Sequence, residues 1–182
     1  GGLHNWCYVN AGQSVGAVYA AYRAGRYETY DPGLHDRWFE GRSIRWGAYG
    51  EPVLIPLWLV EHLCDVADNW TGYTHQFHRP EFQEYRRYFM ASVHSDTIGH
   101  AIELGWRMFF CGRTVPEKYA RFFVDCPASE EAGFRRQCID CSACRGTQRP
   151  IDSAAGAARS ISIKPHGGVG VIRAAEKLAI LQ

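Results

Sequence analysis

The sequence predicts an α/β fold, either an incomplete (β/α) barrel or an open parallel sheet of about six strands, with a cysteine-rich metal-binding insertion. Three observations predict it. Short apolar segments rich in aromatic and β-branched residues alternate with stretches of helical periodicity. Polar, chemistry-bearing residues follow those segments, as they do at the carboxyl ends of parallel strands. Four cysteines with metal-ligand spacing run from the end of the fifth such segment toward the sixth.

The first helix is expected over residues 11–24, with Val15, Val18, Tyr19 and Tyr22 on one face and Gly25 at the C′ position. A polar and aromatic stretch follows, turning at Pro32-Gly33. The strands are expected at Ser43–Trp46, Gly72–Gln76, Tyr88–Val93, Arg107–Cys111, Phe122–Cys126 and Ser160–Lys164. Residues 57–68 place Val60, Leu63, Cys64 and Ala67 on one helical stripe. Residues 96–104 align Ile98, Ala101 and Ile102, with Asp96 as the expected cap and Gly105 as the stop. Pro80 and Pro116 each open a shorter helix, and residues 170–181 close the chain with Ile172, Ala175, Leu178 and Ala179 together.

A chain of 182 residues suffices for one domain with a full core, taken as 1–182 with a metal-binding knuckle at 126–146. Apolar residues at 46% and charged residues at 21% exclude a disordered chain. A net charge of +1 excludes a protein drawn to nucleic acid or membrane by its overall field. The longest apolar run, Val53 to Val60, is interrupted by Pro56 and too short to span a bilayer, so no membrane partner is expected. No basic-then-apolar leader is visible, and the chain opens Gly1-Gly2-Leu3 without an initiator Met, as a fragment or processed product would. Seven cysteines, three of them within seven residues, fit metal ligation in a reducing, cytoplasmic compartment better than a secreted disulfide scaffold.

Cys126, Cys138, Cys141 and Cys144 are spaced C-x11-C-x2-C-x2-C. Two-residue gaps let successive thiolates turn onto one centre. Three such thiolates with a fourth, remote Cys are the pattern of a [4Fe-4S] cluster, which takes one thiolate per iron. Four thiolates also suit a closed tetrahedral zinc site, although zinc more often uses two separated C-x2-C pairs. Arg135, Arg136, Arg145 and Arg149 surround the cluster. They would balance the negative charge of a thiolate centre, or grip the phosphates of nucleic acid. Cys7 reads as a buried thiol or as part of a second metal site completed upstream.

Candidate residues for a ligand face lie at the expected strand ends. Glu51 follows the first strand in Gly47-Ala48-Tyr49-Gly50-Glu51-Pro52, where it can act as general base or polar anchor beside Tyr49. Thr71-Gly72-Tyr73-Thr74-His75-Gln76 carries more polar residues than a buried strand holds without partners, and His75 is the first acid–base candidate. Ser92 and His94 share one side of the third strand, with Asp96 beyond. No G-x-S-x-G elbow is present, so a hydrolytic Ser/His/Asp triad is not expected. His166 follows the last strand. Cys64 and the tryptophans Trp58, Trp70 and Trp106 read as core packing, and Cys111 ends the fourth strand.

Six stretches taken together resemble a cysteine-rich family encoded mainly by bacteriophages and related bacterial mobile elements, to which no activity is assigned. They are Cys7-Tyr8-Val9-Asn10-Ala11-Gly12-Gln13, Gly47 to Pro52, Thr71 to Gln76, Met90-Ala91-Ser92-Val93, Gly105-Trp106-Arg107, and Cys126-Pro127-Ala128-Ser129 through Cys144-Arg145-Gly146. Glu51 stands where the family has Asp. The resemblance implies a further Cys-x2-Cys-Pro upstream of Cys7, a cysteine-bound metal, and a phage-encoded protein in a bacterial cytoplasm. The family is also similar, distantly, to half-barrel iron–sulfur enzymes of the radical S-adenosylmethionine type. Those use C-x3-C-x2-C after the first strand and leave one iron open, whereas four cysteines here can close every position.

The expected function is an iron–sulfur α/β enzyme acting on nucleic acid or a nucleotide, with a pocket of Glu51, Tyr73, His75, Ser92, His94 and His166. The alternative is a zinc-stabilised module that binds nucleic acid or another partner without catalysis.

Overall fold

The computed structural model describes residues 14–129, 132–133, 136–147 and 159–165. Six strands, β1 (Ser43–Trp46), β2 (Asn69–Thr74), β3 (Met90–Val93), β4 (Met108–Cys111), β5 (Phe123–Asp125) and β6 (Ser160–Ile163), form one sheet. Every pairing is parallel, in the order β1-β2-β3-β4-β6-β5. Among the described residues β1 and β5 are the outer strands and no pairing joins them into a barrel.

The strand order decides what covers each face. From β1 to β5 the chain always advances in one direction along the sheet, so right-handed crossovers put those connections on one face. They comprise α3 (Leu57–Val66), α4 (Ile98–Glu103) and the 3-10 segments Pro52–Leu54, Pro80–Arg87 and Glu117–Phe122. Val60, Leu63, Cys64, Tyr85, Ile98 and Ala101 from these connections pack with Trp70, Ala91, Val93, Phe110 and Phe123 of the strands in the main core. The connection from β5 steps back to β6, between β4 and β5, and the same rule sends the cysteine segment to the opposite face. Cys126, Ala143 and Cys144 form a second cluster there with Met90 and Ile161, flanked by Tyr73, Phe109 and Val124. Register agrees: Tyr73 pairs with Met90, Ser92 with Phe109, and Ile161 with both Phe109 and Val124, so period two points all six to one side.

The expected stripe is buried on α3, on α4 Ile98 and Ala101 are buried and Ile102 is half-buried, and Gly25 and Gly105 end their helices at φ 64° and 72°. Several expectations change. β2 begins at Asn69 rather than Gly72, because Asn69, Trp70 and Thr71 pair with Ser43, Ile44 and Arg45 of β1. The cap residue of α4 is Thr97, not Asp96; the Thr97 hydroxyl exchanges hydrogen bonds with the backbone of His94. Trp58 is 58% exposed, unlike Trp70 and Trp106. On α1 (Gly16–Arg23), Val18, Tyr19 and Tyr22 are exposed. Ahead of β1, the Asp31-capped helix α2 (Pro32–His35) leads to Asp36, which accepts from Tyr30 and contacts His62 of α3 at 2.9 Å through both carboxylate oxygens. That pair ties the segment before β1 to the helical layer.

Candidate functional site

The cysteine segment leaves β5 directly: the Cys126 N–H donates to the Ser162 carbonyl at 2.8 Å, prolonging the β5–β6 pairing by one residue. The Cys126 carbonyl then accepts from Ser129 N–H at 2.9 Å, turning the chain over the sheet. Cys138–Asp140 is a single 3-10 turn, and Cys141 N–H donates back to the Cys138 carbonyl, the compact backbone that a two-residue gap requires. Cys126 and Cys144 are buried, Cys141 is half-buried and Cys138 is exposed.

Two polar side chains fasten this segment. Asn69 is 7% exposed at the start of β2, and its Nδ2 donates to the Ile139 carbonyl at 3.1 Å and the Cys141 carbonyl at 3.4 Å. Its Oδ1 accepts from Arg145 Nε at 2.8 Å, and the Arg145 guanidinium lies 4.3 Å from the Trp70 ring centroid. Arg107 is 8% exposed, just before β4. Its guanidinium donates to the carbonyls of Ala143 at 2.8 Å, Gly146 at 3.0 Å and Arg159 at 2.7 Å, and to that of Arg145. Gly146 N–H donates to Tyr88 O, and Thr147 N–H to Arg86 O. A Cβ at Gly146 would stand 2.4 Å from the Arg86 carbonyl oxygen, so only glycine lets the two backbones meet. The expected mouth at the carboxyl strand ends therefore applies to Cys126 alone. Residues 138–147 are tied to the beginnings of β2, β3 and β4, and Cys144 rests on the sheet face.

The thiols sense one another. Burial raises the Cys144 thiol to about 11; the nearby Tyr73 hydroxyl opposes this, Cys126 and Cys141 add repulsion, and Arg107 favours the thiolate. Burial also raises Cys126, with backbone N–H donors opposing and Cys138 and Cys141 repelling. Such thiols stay protonated until a metal ion supplies positive charge. The donor set suits a thiolate-ligated centre: four soft ligands on one short segment, two of them buried against Tyr73, Phe109, Met90 and Ile161. Among the described residues no group of three or more His, Cys, Asp or Glu is already disposed around one point as ligands for a single ion.

At the carboxyl ends of β1, β2 and β3 the expected acid–base residues meet. Glu51 accepts from the Thr74 hydroxyl at 2.7 Å and from His75 N–H at 3.2 Å, and its Oε1 lies 3.1 Å from His75 Nδ1. Burial works against ionisation of Glu51, but these hydrogen bonds win and hold its carboxyl below the ordinary range. With Glu51 ionised, Nδ1 must carry the proton, and Nε2 of neutral His75 is the basic nitrogen. His94 lies close enough for His75 to repel its protonation; burial is the larger cause lowering its pKa, and Asp96 opposes both. A carboxylate that orients one imidazole beside a second, largely neutral one can accept and pass a proton.

Of the other expected site residues, Tyr73 and Ser92 face the cysteine segment, Tyr49 is 58% exposed, and Arg136 is exposed. Arg145 is engaged in the brace, so its guanidinium is committed to Asn69, Trp70 and the Asp68 carbonyl. Cys7, Arg135, Arg149, His166 and the closing helix at 170–181 lie outside the described residues. The reading of the sequence missed Asn69, Arg107 and Thr74. Asn69 and Arg107 were visible only as polar residues next to apolar strands, a signal for buried partners that does not say which ones. No described helix is long and apolar enough to cross a membrane. Comparisons with protein-family models, curated proteins and solved structures find no match to this chain.

Proposed function

We propose that Cys126, Cys138, Cys141 and Cys144 hold a [4Fe-4S] cluster on the face opposite α3 and α4 of an α/β half-barrel-like sheet, in a phage-type protein acting on a nucleotide or nucleic acid. The observation that carries this reading is the shared cluster of Cys126, Cys141 and Cys144 on the sheet, with their segment braced by Asn69 and Arg107. A braced loop lowers the ordering cost of drawing its thiols together onto a metal. The remote-plus-triplet spacing supplies one thiolate per iron, and Tyr73 packs beside the buried cysteines, where its hydroxyl can tune cluster potential. When bound, the cluster supplies electron transfer. Glu51 orients His75, and His75 with His94 moves protons at the carboxyl strand ends.

One observation favours a zinc-stabilised module instead. Residues 138–147 are tied to the amino ends of the strands, away from Glu51, His75 and His94, where a purely structural knuckle would serve as well.

The experiment is anaerobic reconstitution with iron and sulfide, with zinc as the competing metal, followed by counting the thiols left reactive. The reading expects the four thiols to be protected together by iron and sulfide, and expects Cys138→Ser and Cys144→Ser each to lose the centre. Protection by zinc alone supports the structural module; four thiols reactive under every condition contradict both readings. Glu51→Gln and His75→Gln are expected to keep the centre and to remove turnover of nucleotide or single-stranded DNA substrates.

A further inference from the structure

The reversal in strand order that sends the cysteine segment across the sheet also creates a crevice. β6 lies between β4 and β5, so the carboxyl ends of three parallel strands meet there. Parallel sheets bind ligands outside the carboxyl ends of their strands. A cavity of about 380 Å³ occupies that position, lined by Gly112, Arg113, Thr114, Asp125, Ser162 and Lys164 among others. Its size falls within the range of small-molecule sites, about 300–1,000 Å³. None of Glu51, His75 or His94 lines it.

We propose that this cavity binds a hydroxylated phosphate ester, the chemistry that nucleotides and sugar phosphates share. Arg113 follows β4 and Lys164 follows β6, and the two strand ends are held side by side by Gly112 N–H donating to the Ile163 carbonyl at 3.0 Å. Two cations on adjoining strand ends, with the Thr114 hydroxyl beside Arg113, suit one phosphate group. Asp125 comes from the third strand end, and its Oδ1 accepts from the Ser162 hydroxyl at 3.1 Å. That bond orients the carboxylate, and its remaining acceptor positions suit ligand hydroxyls. The Asp125 carboxylate repels any phosphate set against it, so the phosphate belongs on the Arg113 and Lys164 side of the cavity and the ligand's hydroxyls on the Asp125 side. Val124 and Ile163 line this cavity and also pack against the cysteine cluster, so the ligand would sit beside the cysteine segment. The inference rests on the cavity and its charges and needs no metal.

The test is calorimetric titration of the whole chain with AMP, ribose 5-phosphate, ribose and inorganic phosphate. AMP and ribose 5-phosphate are expected to bind at concentrations below about 1 mM, and ribose not to bind. Lys164→Ala and Arg113→Ala are each expected to weaken both esters about tenfold, while Lys164→Arg largely keeps them. Asp125→Asn should weaken the esters and leave inorganic phosphate unchanged or tighter. AMP binding tighter than ribose 5-phosphate identifies the nucleotide as the source, and equal affinities identify the sugar phosphate. Arg113 and Lys164 are exposed, so their variants should fold, and a thermal melt checks this. The proposal is overturned if neither ester binds below about 1 mM, or if binding is unchanged in both cation variants.

Discussion

Arg145 and Asn69 clasp across the sheet: Arg145 Nε donates at 2.8 Å to Asn69 Oδ1, while Asn69 Nδ2 donates to the Ile139 carbonyl at 3.1 Å. One buried amide thus satisfies both a guanidinium and the backbone of the cysteine turn. Asn69→Ala leaves those groups without their partner, and a loss of about 1–3 kcal/mol in stability is expected. Urea unfolding measures it. A change below about 0.5 kcal/mol, the size of an ordinary surface substitution, would show that the clasp does not hold the segment.

Gly146 meets the backbone of Arg86 and Arg87, where a methyl group has no room to move aside. Gly146→Ala is expected to cost about 1–3 kcal/mol by overpacking and to lift residues 143–147 from the strand beginnings. Reactivity of the buried Cys144 thiol reports this: faster labelling in the variant is the expected result, and an unchanged rate contradicts it.

The cysteine spacing, the order of strands and helices along the chain, and the buried stripe of α3 were legible because each is a local pattern. The braces were not. Arg107 and Asn69 satisfy carbonyls 36 to 72 residues away, and nothing near either residue in sequence points there. The face on which the cysteines lie was also hidden, because it follows from β6 inserting between β4 and β5, a pairing that no local pattern specifies. Glu51, His75 and His94 were legible as candidates by their places after strands. The Thr74 hydroxyl that helps hold Glu51 was not singled out, being an ordinary strand residue.

Glu51 titrates below a free glutamate because hydrogen bonds from His75 and Thr74 outweigh its burial. Its folded form therefore takes up a proton later than the unfolded chain. The stability it contributes is fully present above its unfolded pKa of about 4.3 and is lost as pH falls through the folded value. Glu51→Gln should flatten that acid limb in denaturation measured from pH 3 to 6. An acid limb identical to that of the parent chain would contradict the bonds to His75 and Thr74.

His94 is depressed chiefly by burial, with His75 adding repulsion and Asp96 opposing it. The folded state again protonates later than the unfolded one. The contribution is present above pH about 6.5 and lost as pH falls through the folded value. An NMR titration should place the His94 midpoint below about 6.5, and His75→Gln should move it upward. A midpoint at or above the ordinary histidine value contradicts the burial of His94, and a midpoint unmoved in His75→Gln contradicts the repulsion from His75.

The central claim is the cluster on the four thiols, and metal analysis with a visible spectrum of protein isolated without oxygen tests it most directly. The account predicts a brown protein with broad absorption near about 400 nm and about four irons per chain, lost in Cys144→Ser. A colourless protein carrying one zinc, or no metal with all cysteines reactive, would contradict it.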